Sequence, residues 1–164
     1  DLCEKKSFSL NENKETHRKV LGIDIDIRAH NKLELLKHPL SKNIEMIEGS
    51  SLDTKIIKKV NDFSKSFKNI LVCLDSNHTH HHVLEELNAY ANLASINSYC
   101  LVFDTVIEDM PKELTENREW GPANSPKSAI REFLKSNTNF MIDKTYQNKS
   151  LITSAPDGFL KKIR

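Results

Sequence analysis

Glycine is the scarcest structural resource of this chain. Four occur in 164 residues, Gly22, Gly49, Gly121 and Gly158, and no two stand close together. A nucleotide-binding α/β domain normally spends several on its first phosphate loop, so no loop of that kind is legible here. Long apolar runs are missing too. Nothing approaches the ~18 residues of a membrane span, and the opening DLCEKKSFSLNENKETHRK holds no apolar stretch of a signal peptide. Neither sign of charge dominates: 24 Lys+Arg stand against 23 Asp+Glu, with a pI of about 7.9. That balance argues against a dedicated nucleic-acid binder, whose domain pI is usually above ~9. Cysteine is limited to Cys3, Cys73 and Cys100, an odd and scattered set that is no disulfide framework. Cys73 and Cys100 sit inside apolar runs and are expected as small core residues of a reducing, cytoplasmic compartment.

What is present is a globular composition, 38% hydrophobic and 29% charged. A chain of this length can bury ~70% of its unfolded surface, and residues 1–164 are expected to form one domain. Residues 1–18 are polar and without clear periodicity, a frayed helix end or a surface connection. Strands are expected at residues 19–26 (KVLGIDID), 43–48 (NIEMIE), 69–75 (NILVCLD) and 98–104 (SYCLVFD). The last two are continuous apolar runs, as in strands buried on both faces. Helical spacing appears in Ile56, Ile57, Val60 and Phe63, with Asp53 or Ser51 as N-cap, and in Val83, Leu84, Leu87, Tyr90, Ala91 and Ala94, with Thr79 as N-cap. Ser125-Pro126 starts a third helix that turns Ile130, Phe133 and Leu134 inward. Residues 139–142 and 150–153 read as a last hairpin pair. Strands alternating with helices imply an open, largely parallel α/β sheet covered on both faces. Residues 108–124 are long, polar and rich in turn residues, and read as a lid or substrate loop. Trp120 within it either stacks on a ligand or packs the loop onto the body.

Ligands of open α/β sheets bind beyond the carboxyl ends of the strands. Those ends read Asp24/Asp26, Glu48-Gly49-Ser50-Ser51, Asp75-Ser76-Asn77-His78 and Asp104-Thr105. Asp24 or Asp26 suits ribose hydroxyls or a plain turn. Gly49 allows close backbone approach, and Ser50 and Ser51 offer hydroxyls or a helix cap. Four of the seven histidines fall within residues 78–82. Consecutive helical residues point roughly 100° apart, so they cannot enclose one ion together. His78, three residues beyond Asp75, can turn back to the strand tip and serve as a general base near neutral pH. His80, His81 and His82 are expected as exposed first-turn residues. Asp75 and Asp104 can share a Mg²⁺ ion; Glu108 and Asp109 are expected on the loop surface.

KVLGIDIDIRAHN, IEGSSLD, LVCLDSNHTHHHVLEELNAYANL, YCLVFDTVIEDMP, WGPANSPKSAIREFL and TSAPDGFLKKI together resemble the cephalosporin hydroxylase/rhamnosyl O-methyltransferase family from about residue 19 onward. The resemblance implies a Rossmann-like class I methyltransferase sheet with S-adenosylmethionine as cofactor. Asp75 would bind Mg²⁺ and His78 would be the base. Asp104 would be the second metal ligand, with Phe103 standing where the family carries another acid, a ligand lost unless Thr105, water or substrate fills that place. Asp24, with Asp26 as fallback, would hold the ribose, and Gly49, Ser50 and Asp75 would line the cofactor. The family's first strand and glycine-rich turn have no counterpart before Lys19, so the first strand is expected to be missing and this chain alone to bind the cofactor poorly. The implied reaction is metal-assisted methylation of a hydroxyl on a sugar or small polar metabolite. Neither nucleic acid nor membrane is expected as a partner, and a homo-oligomer is compatible with it. A degenerate remnant without catalysis is the alternative, and a metal-dependent hydrolase ranks third.

Overall fold

A computed structural model describes residues 18–164; the expectation for the segment before them, and Cys3 with it, lies outside the described residues. The order is β1 (Val20–Asp24), α1 (Ala29–Lys37), β2 (Ile44–Glu48), α2 (Thr54–Ser64), β3 (Val72–Leu74), α3 (His80–Tyr90), β4 (Tyr99–Val102), α4 (Pro126–Ser136), β5 (Phe140–Ile142), α5 (Thr145–Ser150) and β6 (Phe159–Lys162). The strands form two sheets, β1-β2 and β3-β4-β6-β5. β1 runs parallel to β2 and β3 parallel to β4, whereas β6 is antiparallel to both β4 and β5. Among the described residues β1 pairs only with β2, and β3 only with β4. The sheet is thus divided between β1 and β3, and no strand lies between them among the described residues.

The helices begin where local chemistry dictates. Asp53 caps α2 by accepting from the Lys55 amide at 2.7 Å. Ser125 opens α4 in a reciprocal capping box with Ser128, and Pro126 takes the first helical position. Thr79 is the N-cap of α3. α1 and α5 were not foreshadowed. α1 buries none of its residues, and α5 is a single short turn and a half that also buries none.

Val72, Leu74, Cys100, Val102 and Leu160 share one sheet face and pack with Val83, Leu87 and Tyr90 of α3 and Ile130 and Phe133 of α4. The opposite face is uncovered at Leu71, Cys73 and Met141. β3 is therefore buried on one face, and Cys73 is exposed rather than a core residue. A continuous apolar run reports hydrophobicity on both sides of a strand but not what covers each side. Cys100 is fully buried, as expected.

The expected hairpin of residues 139–142 with 150–153 does not form. β5 leads instead into α5, and Leu151, at φ 61°, ends that helix. Leu151 and Ile152 are 88% and 90% exposed. The true partner, β6, sits between β4 and β5 and buries Leu160 completely. Tyr99 on β4 donates its hydroxyl to Asp143 just past β5 at 2.7 Å, and Asp143 also accepts from the Thr145 amide at 2.9 Å. Hydrogen bonds from Thr145, and then from the Tyr99 phenol, hold the Asp143 carboxyl down at about 2. The bond to Asp143 in turn pushes the Tyr99 phenol up to about 12.

Leu160→Ala should cost about 2–5 kcal/mol, the range for emptying a buried leucine site, read by urea denaturation. A depressed carboxyl lends stability above its unfolded value of 3.8 and loses it as pH falls through about 2. The acid limb of a stability-versus-pH curve should therefore show this loss in the native chain and lack it in Asp143→Asn.

Candidate functional site

The parallel register Leu74↔Val102 brings two strand tips side by side, and the Phe103 amide donates to the Leu74 carbonyl at 3.0 Å, extending the pairing by one step. Asp75 follows β3 directly. Asp104 stands two residues past β4 in the left-handed region, φ 53° and ψ 25°. Non-glycine residues with such angles cluster where a side chain must be aimed. His78 Nε2 lies 3.0 Å from Asp104 Oδ2, both about one-third exposed or less. Ligand atoms of Asp75, His78 and Asp104 all lie within 4.8 Å of one another. The turn that returns His78 is fixed by Asn77, whose Oδ1 accepts from the Thr79 amide at 2.8 Å and hydroxyl at 2.7 Å.

Two carboxylates converging with an imidazole form a donor set that fits a hard divalent cation through its oxygens. Thr105 does not stand in for an acid at Phe103. It is completely buried, and its hydroxyl donates to the Pro156 carbonyl at 2.7 Å.

A pocket of about 310 Å³ opens beside His78, walled by Ser76, Asn77, Asn117, Arg118, Glu119 and Trp120. Trp120 meets the His78 ring edge-on, with centroids 5.6 Å apart and planes at 74°. The Arg118 guanidinium lies 5.4 Å from the Trp120 ring centre on a cation–π contact. The expected loop is therefore brought to the strand tips. It is pinned by Glu108, which was expected on the surface. Its side chain is only 12% exposed; Oε2 accepts from the Ala123 amide at 3.0 Å and the Ser125 hydroxyl at 2.6 Å, and Oε1 pairs with Arg131 at 2.8 Å. Asn124 completes the clamp, donating to the Glu119 carbonyl at 2.6 Å and accepting from the His80 amide at 2.9 Å.

The other predicted residues gather at the tips of β1 and β2. The Gly49 amide donates to the Asp24 carbonyl at 2.8 Å, and Gly49 adopts φ +141°, which side-chain-bearing residues rarely tolerate. Asp24 is exposed and accepts from the Asp26 amide at 3.0 Å; Asp26 lies past the strand in the turn that orients Asp24. Ser50 holds the Leu52 amide at 3.3 Å. Two of the three histidines after His78 differ from expectation. His81 is exposed, but His80 lies 2.8 Å from Ser128 Oγ and 3.2 Å from Glu132, and His82 lies 3.2 Å from Ser51 Oγ. Both are drawn in because α4 and the β2–α2 loop pack alongside the first turn of α3. Glu86, almost fully buried at 2% exposure, was missed. Its signal is an acid one step before Leu87 on the inward face set by Val83 and Tyr90.

Residues 6–163 match the sequence family described as rhamnosyl O-methyltransferase/CmcI. Proteins named rhamnosyl O-methyltransferase from Mycobacterium tuberculosis and Mycobacterium bovis are 30% identical over 149 residues, covering 87% of this chain and 55% of theirs. The chain thus spans about half the length of the curated relatives it matches. Among solved structures, MycE methyltransferase from the mycinamycin biosynthetic pathway, in complex with Mg and SAH, aligns with a TM-score of 0.52 at 13% identity, over 89% of this chain and 37% of that one. The same enzyme with Mg, SAH and mycinamycin VI gives 0.50 at 15% identity, over 89% and 36%. These likenesses establish the fold as the Rossmann-like methyltransferase type.

Glu108→Ala should free residues 119–125 while leaving the sheet intact. Hydrogen exchange at the Ala123 amide should quicken at least ~5-fold, the equivalent of one lost hydrogen bond of about 1 kcal/mol, with β3 and β4 amides unchanged.

Proposed function

The chain belongs to the rhamnosyl O-methyltransferase/CmcI family, and from that premise we propose that the whole protein is an S-adenosylmethionine-dependent O-methyltransferase. Its acceptor is a hydroxyl of a sugar or other small polar metabolite, and the transfer is assisted by Mg²⁺ in a reducing, cytoplasmic setting. The observation that carries the proposal is the convergence of Asp75, His78 and Asp104 at the mouth of the Trp120 pocket. The names of the relatives, and the Mg and SAH held by the structural neighbour, support it.

Asp24 offers a carboxylate of the type that accepts ribose hydroxyls, and Gly49 beside it, without a side chain, lets a nucleoside approach the backbone next to Ser50. S-adenosylmethionine bound along Asp24, Gly49, Ser50 and Asp75 would supply a methyl group already activated as a sulfonium. Mg²⁺ held by Asp75 and Asp104 would supply Lewis acidity toward the acceptor hydroxyl.

The side chains do the rest. His78 accepts the hydroxyl proton on Nδ1, the ring nitrogen left free by Asp104; Nε2 donates to Asp104 Oδ2 at 3.0 Å, and that carboxylate fixes the ring and stabilises the imidazolium that results. Trp120 limits how His78 can rotate and offers a flat apolar wall to a sugar ring. Arg118 and Glu119 on the same wall donate to and accept from hydroxyls. A noncatalytic reading is favoured by one feature, Phe103 in the place of a family acid. It is separated from the first by calorimetry: a full-length protein that binds neither SAH nor Mg²⁺ would support it.

His78→Ala in the full-length protein should lower turnover at least ~10²-fold, the lower range for loss of a general base, with the SAH dissociation constant held within about 2-fold. Unchanged turnover would remove His78 from the role. Asp75→Ala should abolish the Mg²⁺ dependence of turnover, read by titration after chelation.

A further inference from the structure

A buried carboxylate is costly unless its oxygens are satisfied, and the mechanism above does not use Glu86. Yet Glu86 sits on the inward face of α3 between Val83 and Leu87 at 2% exposure. Its Oε2 accepts from the Ser76 hydroxyl at 2.7 Å, and Ser76 belongs to the turn between Asp75 and His78. Its Oε1 lies 3.4 Å from Nε2 of His82, one turn back on the same helix. That same nitrogen lies 3.2 Å from Ser51 Oγ, in the loop beyond β2. One turn forward, Tyr90 donates its hydroxyl to the Ser51 carbonyl. Burial, and then the charge of Glu86, push the Tyr90 phenol up to about 12, so it stays a donor.

His82, Glu86 and Tyr90 thus form a polar stripe at i, i+4 and i+8 along a helix whose other inward residues are apolar. Through these contacts the stripe meets two loops. One loop carries Gly49, Ser50 and Ser51; the other carries Asp75, Ser76 and His78. β1–β2 and β3–β4 are separate sheets, so no backbone ladder fixes the distance between these loops. A carboxylate that holds one loop through Ser76 and meets the other through His82 can do so.

We infer that Glu86 is a positioning residue: it sets the spacing between the Gly49–Ser51 loop and the Asp75–His78 turn, and so the alignment of methyl donor against base. The assignment of donor and base rests on the function proposed above; the coupling of the two loops does not. Glu86 touches neither reactant and acts only through Ser76 and His82.

The test uses the full-length protein with Glu86→Gln, which keeps the volume and removes the charge, and Ser76→Ala, which removes only the hydroxyl end of one contact. Hydrogen exchange of the Ser51 and Ser76 amides, SAH affinity by calorimetry, turnover and thermal midpoint are read for each. Glu86→Gln should speed exchange at both loops, raise the SAH dissociation constant by ~10-fold and lower turnover by ~10-fold, inside the ~10² that a 1 Å misplacement can cost. Ser76→Ala should do the same more weakly, and the double variant should be no worse than Glu86→Gln, as expected of partners in one contact. A lowered midpoint with affinity and turnover within about 2-fold of the parent would make Glu86 merely structural and overturn the inference. Should Glu86→Gln not fold, unchanged exchange at both loops and unchanged turnover in Ser76→Ala overturn it equally. A parent protein that binds no SAH would sink the proposed function, while the exchange arm would still decide the coupling.

Discussion

Parallel pairing of β3 with β4 is the constraint on which the site depends. Leu74 opposite Val102, followed by the Phe103 amide on the Leu74 carbonyl, delivers Asp75 and Asp104 to one rim. Parallel strands point their carboxyl ends the same way, so polar residues that follow each apolar run necessarily crowd together. A slip of one residue would turn Val72 and Leu74 away from α3 and α4 and expose the core. The hydrophobic pattern thus guards the chemistry: the residues that choose the register are the ones that never meet a ligand. His78 returns to the rim because the Asn77 turn has nowhere else to send it once Thr79 starts α3.

Much of this was legible in the residues. The spacing of Asp75 and His78 and the apolar runs before Asp75 and Asp104 carried the rim, and Ser125-Pro126 carried the start of α4. What was hidden lay beyond local pattern. Leu151 and Ile152 look as strand-like as Phe159 and Leu160, and only the vacant place between β4 and β5 decides which is taken. Cys73 sits in a run that reads as doubly buried, yet among the described residues it is exposed. His80 and His82 looked like solvated helix-start residues because their partners, Ser128, Glu132 and Ser51, arrive from distant segments. Glu86 was masked by Val83 and Leu87, the apolar residues that flank it on that side.

The loop of residues 108–124 shows how a polar segment can be ordered without a core. Glu108 gathers two donors and a guanidinium, and Asn124 joins the loop to the first amide of α3. These bonds join segments well apart in the chain; the Ser125–Glu108 bond is partly buried, which gives it more weight than a surface pair carries. Trp120 and Arg118 are then presented to His78 by backbone geometry, not by burial.

The division of the sheet has a thermodynamic consequence. β1, α1 and β2 contribute no fully buried residue, whereas the core is built from residues of β3 onward. Segments with so few buried side chains are the ones from which local opening is drawn, and Ile23 of β1 is a side chain that packs this lobe against the core. A ligand that spans Asp24 and Asp75 must first draw on the closed fraction of that lobe, and its observed affinity is reduced by the same factor. Whatever rigidifies the β1–β2 lobe would tighten such a ligand without touching it.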